Sequence, residues 1–363
     1  MKKRDSLLVE VYMITYNHEK YVEKAIESVL MQKVNFKYRI VIADDCSTDD
    51  TVKILKKYKK KYPDKIKLIL RDKNVGMREN SRLLREELVA PYLAPLEGDD
   101  YWLDKNKLQK QVDFLENNSD YSCYCSSVYI VDKDGKRSRE LEKRFTNYCY
   151  DEDKEFTLVE AVNYVLPGQT ATLLYRNFYK GFDIEQKKLY NSCRANGDQK
   201  LALVNAIKGK IFCSKDPMAV HRKVFDSGSS WSAKINDKNM AKYHFDAICD
   251  LEILIYKLFS KNINMQLAKN ARFDEAIRFY RKKKNLGNLK IEVKENKLVV
   301  NALSLAQKLR FDNIANKVKL LYKKIGYDNL EIVVNALEDN EKEHNRIAVT
   351  RIIEKIFFKK SPT

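Results

Sequence analysis

The sequence predicts an α/β protein with a mostly parallel sheet flanked by helices. Over the first hundred residues, short apolar runs alternate with longer segments whose apolar residues recur at helical spacing. Polar clusters follow the apolar runs at their carboxyl ends. Strand–helix alternation is typical of parallel sheets, which bind ligands beyond the carboxyl ends of their strands. These two observations give the fold class and the place to look for a site.

Four predicted strands and the three helices between them make up this first part. The strands are predicted at 8–14, 38–43, 66–70 and 91–96, and the helices at 19–31, 51–61 and 78–88. Pro63 closes the second helix, and Asn74-Val75-Gly76 turns into the third. The alternation of strands and helices therefore predicts a parallel sheet, and no known motif is needed for this prediction.

The middle of the chain continues in the same style. After a helix at 105–116 come a strand at 121–131, a charged loop over 136–156, a helix at 158–165, a strand at 171–175, a helix at 199–207, and strands at 210–213 and 217–220. From about residue 236 glycine and proline nearly vanish, and apolar residues recur at three- and four-residue steps. We therefore predict a domain at 1–235 and an all-helical region at 236–363, with room for one strand pair around 288–300.

Three carboxylates follow the fourth strand within four residues. Glu97, Asp99 and Asp100 surround Gly98. Side chains of like charge repel one another unless they lie in water or share a cation. Hard divalent ions such as Mg²⁺ or Mn²⁺ take one or two carboxylates together with phosphate oxygens. Gly98 is expected to allow a sharp turn and the close approach of a ligand. A solvated acidic turn is the alternative reading of this segment alone.

Polar residues from other strands are expected to join this cluster. Thr15 follows the first strand, and Asp44 and Asp45 follow the second. Because the carboxyl ends of parallel strands meet at one edge, these residues are predicted to share a crevice. The sequence contains no glycine-rich phosphate loop, so a nucleotide bound here would be held by side chains and a cation.

Composition narrows the class of protein further. Charged residues make up 33% of the 363 residues, and the net charge of +18 predicts attraction to an anionic partner. The lysines spread along many helices, so nucleic-acid binding is not expected. Seven irregularly spaced cysteines and only four histidines argue against a zinc site and suit a reducing cytoplasm. Neither a signal peptide nor a spanning helix is predicted.

Five motifs, taken in order, resemble the family 2 glycosyltransferases of GT-A fold, a Rossmann-like α/β architecture. They are Thr15-Tyr16-Asn17, Asp44-Asp45-Cys46-Ser47-Thr48-Asp49, Asn74-Val75-Gly76, Glu97-Gly98-Asp99-Asp100-Tyr101-Trp102, and Gly197-Asp198 ahead of Gly209-Lys210-Ile211. Each motif is weak alone, but their order and their strand-end positions are specific together. The resemblance covers about residues 7–232.

The resemblance implies an inverting transfer of a sugar from a nucleotide-sugar, most often a UDP-sugar. The acceptor would be a hydroxyl of a glycan, lipid-linked or protein-linked acceptor in bacterial surface glycan synthesis. Mn²⁺ or Mg²⁺ would bind the diphosphate through Asp99, with Glu97 in place of the usual aspartate. Asp198 stands where the family keeps its catalytic base, although an aspartate there also suits a helix N-cap.

The resemblance also assigns the remaining site residues. The donor would contact the strand-end residues Thr15, Tyr16, Asn17, Asp44, Asp45, Asn74, Gly76, Arg78, Glu97, Gly98 and Asp99. The acceptor would contact Gln169, Thr170 and Trp231. For Trp231 a position in the core is the alternative, and for Arg78 the alternative is a solvated place on the helix face. The histidine that the family places after its last core strand falls at Val224 here, and His221 would replace it only if the loop shifts.

For the second domain, acceptor recognition, oligomerisation and membrane docking are all kept open. The basic, amphipathic segment 351–360 suits contact with the inner face of the cytoplasmic membrane, and packing between helices is the alternative. A different class of function is a non-catalytic basic protein that uses the same scaffold to bind nucleic acid or a membrane. A sugar nucleotidyltransferase is disfavoured, because its glycine-rich amino-terminal loop is missing.

Overall fold

The computed structural model describes residues 4–144, 148–223, 240–269, 271–272, 289–294, 297–302 and 331–335. The chain divides into two compact units. The first comprises Met1–Ser192 and Asn196–Asn236, and the second comprises Cys193–Ala195 and Asp237–Thr363. The assignment of separate functions to domains 1–235 and 236–363 stays a prediction.

The first unit is built from nine strands and eight α-helices among the residues described. The strands are β1 (Arg4–Thr15), β2 (Phe36–Asp44), β3 (Ile66–Leu70), β4 (Tyr92–Pro95), β5 (Tyr101–Trp102), β6 (Tyr121–Val131), β7 (Lys154–Phe156), β8 (Leu174–Arg176) and β9 (Lys210–Arg222). The helices are α1 (Val22–Leu30), α2 (Thr51–Lys61), α3 (Met77–Glu86), α4 (Lys107–Asn117), α5 (Arg139–Arg144), α6 (Leu158–Val162), α7 (Ile184–Ser192) and α8 (Gly197–Lys208). Two short 3₁₀-helices, Thr170–Thr172 and Tyr179–Gly181, flank β8.

These strands form one mixed sheet in the order β3-β2-β1-β4-β8-β6-β9-β5, with β7 paired to β9. The first four strands in this order are parallel, as predicted. Strand β8 is antiparallel to both neighbours, while β9 runs parallel to β6 and antiparallel to β5 and β7. The loops after β1, β2 and β4 therefore emerge at the same edge of the sheet.

Two sequence predictions in the middle of the chain were wrong in detail. The charged segment 136–156 contains α5 and β7 and is not a loop throughout. The strands predicted at 210–213 and 217–220 are the single strand β9, whose pairing with β6 shifts register at Pro217. Because proline has no backbone N–H to donate, the ladder accommodates it with an irregularity instead of ending there.

The core between sheet and helices contains one unusual residue, Lys107, at the start of α4. The side chain is fully buried. Its Nζ donates a hydrogen bond to Gln111 Oε1 at 2.8 Å and lies 4.2 Å from the centroid of the Trp102 ring. Burial lowers the pKa of Lys107 to about 7. The indole Nε1 of Trp102 in turn donates to the Ala171 carbonyl at 2.8 Å.

The second unit is described only in part. It contains α9 (Met240–Phe259) and the strands β10 (Leu289–Lys294), β11 (Lys297–Ala302) and β12 (Glu331–Asn335). Strand β11 pairs antiparallel with β10 and parallel with β12. The strand pair allowed around 288–300 is thus confirmed, and the all-helical description of 236–363 is corrected. Consecutive valines in β11 and β12 favour strand over helix despite the scarcity of glycine and proline.

Within the second unit, Arg194 is paired with α9. Its Nε lies 2.8 Å from Asp250 Oδ2, and its Nη1 lies 3.4 Å from Asp246 Oδ2. No helix in the described part of the chain is both long enough and apolar enough to cross a membrane. The basic segment 351–360, on which the membrane hypothesis depends, lies outside the described residues.

Candidate functional site

The loop after β1 is joined to the loop after β2 by side chains. Thr15 Oγ1 donates to Asp44 Oδ2 at 2.8 Å. Ser47 donates to the same carboxylate from its backbone N–H, at 2.9 Å, and from its hydroxyl, at 2.5 Å. Asp44 is fully buried. Both oxygens of Asp44 thus stabilise the two loops that form this part of the crevice. A contact with a ligand would be a second function of the same carboxylate.

Asn17 makes a second connection between the same loops. Its backbone N–H donates to Ser47 Oγ at 2.9 Å, and its side-chain oxygen accepts from the Thr48 N–H at 2.8 Å. Asn17 has φ of +55°, a left-handed conformation that asparagine tolerates better than most residues. Tyr16 is half-buried between Thr15 and Asn17.

Asp45 organises the loop after β3. Its two oxygens accept hydrogen bonds from the backbone N–H groups of Val75 and Gly76, both at 2.8 Å. Asn74 Oδ1 also accepts from the Gly76 N–H, at 3.1 Å. Gly76 has φ of +86°, which explains why glycine is used there. The predicted residue Arg78 is exposed in the first turn of α3.

Arg71, directly after β3, is a residue that the sequence analysis missed. Its backbone N–H donates to the Asp44 carbonyl at 3.0 Å, and its Nε donates to Asn80 Oδ1 at 3.0 Å. Its Nη2 is enclosed and has no hydrogen-bond partner among the described residues. A buried guanidinium nitrogen without a partner can donate a hydrogen bond to an oxygen of a bound ligand. The signal was its strand-end position, equivalent to that of Asp44.

The acidic loop after β4 brings its three carboxylates together. Oxygens of Glu97, Asp99 and Asp100 lie within 4.8 Å of one another. Burial, followed by the charges of the other carboxylates, raises the pKa of Glu97 to about 8. Burial and the charge of Asp100 also raise the pKa of Asp99, which His18 and His221 partly offset. The mutual repulsion expected from the sequence is therefore present.

Asp100 differs from its two neighbours because its carboxylate is already bound by protein groups. Arg222 N–H donates to Oδ1 at 2.8 Å, Gln169 Nε2 lies 3.0 Å from Oδ2, and His221 Nδ1 lies 3.1 Å from both oxygens. Because a carboxylate is the stronger acceptor, we assign the proton of His221 to Nδ1. The arrangement orients His221 and leaves its Nε2 for a ligand.

Gln169, which the resemblance places at the acceptor, lies beside Asp100. It is only 4% exposed, and its Oε1 accepts from the Ala171 N–H at 2.5 Å, which fixes the orientation of the amide. Its Nε2 donates to Asp100 Oδ2, and it also lies 3.0 Å from His221 Nδ1. Gln169 therefore holds Asp100 in place, and its contact with an acceptor stays a prediction. Thr170 is half-buried beside it, and Trp231 and Val224 lie outside the described residues.

Asp198 lies in the first turn of α8, where Asn196 is the N-cap. Its Oδ1 accepts from the Gln199 N–H at 2.7 Å, and burial raises its pKa. Asp198 is close enough to Glu97 to help raise the pKa of that carboxyl. The two carboxyl groups therefore lie near each other, although a hundred positions separate them.

Lys223, the residue after β9, is a basic residue close to these carboxylates that could not be predicted from the sequence. Its charge lowers the pKa of Glu97 and of Asp198, and burial lowers the pKa of its own ammonium group. One lysine among 69 basic residues gives no signal in the sequence. Only the fold places it among the carboxylates.

Glu97 and Asp99 fit a divalent cation. The protein donors that hold Asp100 go to its carboxylate and not to those of Glu97 and Asp99. Hard carboxylate oxygens are what Mg²⁺ and Mn²⁺ prefer. Asp100, which is held by three protein donors, fits the supporting function of orienting His221.

Comparison with known proteins identifies this part of the chain. The family model described as "Glycosyl transferase family 2" matches residues 10–180. Residues 10–180 belong to this family. The family 2 match ends before α8 and β9, so Asp198, His221 and Lys223 lie beyond it.

Relatives of the family 2 domain are found in bacteria. An uncharacterized protein of Mycobacterium tuberculosis is 30% identical over 218 residues, which cover 59% of this chain and 58% of that protein. TuaG of Bacillus subtilis, which carries the name of a teichuronic acid biosynthesis glycosyltransferase, is 36% identical over 112 residues, or 31% of this chain and 43% of TuaG. The chain thus spans about half the length of these relatives.

A solved structure resembles the fold. TarS of S. aureus, in a crystal structure with UDP-GlcNAc, matches with a TM-score of 0.54 and 17% sequence identity. The match covers 77% of this chain and 75% of that chain. The likeness confirms the GT-A fold predicted from the sequence.

Proposed function

We propose that this chain is an inverting glycosyltransferase that moves a sugar from a UDP-sugar to an acceptor hydroxyl in bacterial surface glycan synthesis. The observation that carries the proposal is that Asp198 lies close to Glu97 of the acidic loop, which follows the parallel strand β4. The family 2 domain, the name of TuaG and the UDP-GlcNAc in TarS support the same conclusion.

The nucleotide would bind over the loops after β1, β2 and β3. Hydrogen bonds from Thr15 to Asp44 and from the third loop to Asp45 fix these loops before any ligand arrives. A preformed pocket lowers the entropic cost of binding. The unpartnered Nη2 of Arg71 is the donor that a base or phosphate oxygen would satisfy.

The diphosphate would lie near Glu97 and Asp99, whose oxygens would hold Mn²⁺ or Mg²⁺. Such a cation neutralises negative charge that develops on the leaving diphosphate. His221, held by Asp100 through Nδ1, would offer its Nε2 to the same ligand. Lys223 would bring its ammonium group close to these carboxylates.

Asp198 is the proposed catalytic base. It would accept the proton of the acceptor hydroxyl while that oxygen attacks the anomeric carbon. The new C–O bond forms as the bond to the diphosphate breaks, and attack from the opposite face inverts the configuration. Its raised pKa brings the carboxyl closer to the working pH, which favours a general base.

The proposal is tested by calorimetric binding of UDP, GDP and a panel of UDP-sugars with Mn²⁺ and with EDTA. Asp99→Ala should abolish the metal-dependent part of UDP binding. Asp216→Ala, which removes an aspartate of β9 outside the acidic loop, is the matched control and should bind as the wild type does. Binding of GDP instead of UDP would refute the assignment of a UDP-sugar as the donor. Binding of no nucleotide would favour a non-catalytic interaction protein.

The second domain is assigned a docking function within this proposal. We place the protein in the cytoplasm, with segment 351–360 in contact with an anionic membrane surface that carries the acceptor. Co-sedimentation with vesicles of anionic lipid should be lost when residues 351–363 are deleted. Sedimentation that persists after the deletion would refute this assignment.

A further inference from the structure

Gly98 is a glycine for lack of space and not for backbone conformation. Its φ lies outside the left-handed region, in contrast to Gly76. A Cβ added at Gly98 would overlap His18 Nδ1 severely and would lie 2.9 Å from Thr15 Cγ2. At Gly76 an added Cβ would meet nothing within 4 Å. The imidazole of His18 therefore occupies the space that any larger residue at position 98 would need.

His18 is itself held firmly from both sides. Its backbone N–H donates to Thr51 Oγ1, at the first residue of α2, at 2.8 Å. Its carbonyl accepts from the N–H groups of Tyr21 and Val22 at the start of α1, both at 2.9 Å. The ring thus projects from a backbone anchored to two helices, so it resists displacement.

The edge of the ring that faces the acidic loop makes no hydrogen bond. Nδ1 of His18 is fully enclosed and lacks a hydrogen-bond partner within the described part of the chain. A buried polar atom without a partner costs free energy, which calls for a compensating function. The backbone of Gly98, packed against this edge, lies between the two carboxylates assigned to the cation.

We propose that His18 is a positioning residue for the acidic loop: its ring sets where the Gly98 backbone lies, and so where Glu97 and Asp99 present their oxygens. This inference deepens the proposed function and rests on it. His18 could not be singled out from the sequence, because it is not among the strand-end residues expected to contact the donor.

The test is a set of variants made in a Thr15→Ser background. This substitution removes the second close atom and keeps the hydroxyl that donates to Asp44. Mn²⁺ affinity is measured by electron paramagnetic resonance of the free ion, and UDP affinity in the presence of Mn²⁺ by calorimetry. Gly181→Ala, at a glycine with nothing within 4 Å of an added Cβ and an ordinary φ, is the control and should bind as the background protein does.

Gly98→Ala should weaken Mn²⁺ binding by about 10- to 100-fold, the range typical for loss of a supporting contact behind metal ligands. His18→Ala should weaken it by a smaller factor, because the loop is then unsupported. The double variant His18→Ala/Gly98→Ala should bind more tightly than Gly98→Ala alone, because the new methyl group fills the vacated space. A merely structural loss would not be reversed by a second truncation.

Three outcomes overturn the inference. If His18→Ala binds Mn²⁺ as tightly as the background protein, the ring does not position the loop. If the double variant binds no more tightly than Gly98→Ala, the two residues do not act through their contact. If the background protein binds neither Mn²⁺ nor UDP, the proposed function fails and the inference fails with it, a result distinct from the first two.

Discussion

Lys107 gives the sharpest quantitative prediction, because its buried ammonium should make the stability of the first unit depend on pH. Its ordinary pKa of 10.5 falls to about 7 in the folded protein, with burial as the main cause. Between these two values the unfolded chain keeps the proton and the folded chain has released it. Raising the pH therefore favours the folded state, whereas below pH 7 this contribution is constant.

The magnitude follows from the two pKa values. One pKa unit corresponds to about 1.4 kcal/mol, so the contribution changes by about 2.5 kcal/mol between pH 7.5 and 9.5. We expect the free energy of unfolding of the wild type, minus that of Lys107→Met, to rise by that amount over this range. Methionine has similar length and carries no proton, so the difference isolates the titration of Lys107 from that of other groups.

The assay is urea unfolding at several pH values, followed by the fluorescence of Trp102 in a Trp231→Phe background. The Trp102 ring lies against the Lys107 ammonium and reports on this part of the core. Lys110→Met is the control: this half-exposed lysine of the same helix pairs with Asp104 at 2.7 Å, and its difference should stay constant. If the difference in unfolding free energy between the wild type and Lys107→Met also stays constant with pH, the reasoning is refuted.

Three further predictions concern the crevice. Asp198→Asn should leave Mn²⁺-dependent UDP binding within about twofold of wild type and lower the rate of UDP release by about 10² to 10⁴-fold, measured by calorimetry and steady-state kinetics. Asp45→Asn should turn an amide N–H₂ toward the Gly76 N–H; we expect a loss of about 1–3 kcal/mol in unfolding free energy, together with weaker UDP binding. Gln169→Ala should lower Mn²⁺ affinity about 10-fold, because Asp100 loses a donor that orients it, while KM for the acceptor stays unchanged. A higher acceptor KM with unaltered Mn²⁺ affinity would support the contact of Gln169 with the acceptor.

The parallel half of the sheet could be predicted from the sequence because each strand is a single apolar run bounded by turn residues. The bounds of α2, β3 and β6 agree with the predicted segments. The convergence of Thr15, Asp44 and the acidic loop follows from one rule, that parallel strands end at one edge. Local sequence carried enough information there, since each polar cluster immediately follows its own strand.

The supporting residues could not be predicted, because their partners are distant in the chain. Gln169 reaches Asp100 only through the antiparallel insertion of β8, and Lys223 reaches the carboxylates only because β9 pairs along β6. Gly98 was expected to serve a sharp turn, yet its reason is the ring of His18 across the crevice. Contacts of this kind depend on tertiary geometry, which spacing along the chain does not encode.

The donors that hold Asp100 of the acidic loop lie largely on β9, which is synthesised more than a hundred residues later. A nascent chain that has emerged to residue 180 contains the whole family 2 match and Gln169, but neither His221 nor Arg222. Asp100 would then lack two of its three protein donors, and β6 would have an unpaired edge. During synthesis the site can therefore be completed only after β9 has paired with β6. The last strand of the unit completes the carboxylate cluster that the fourth strand begins.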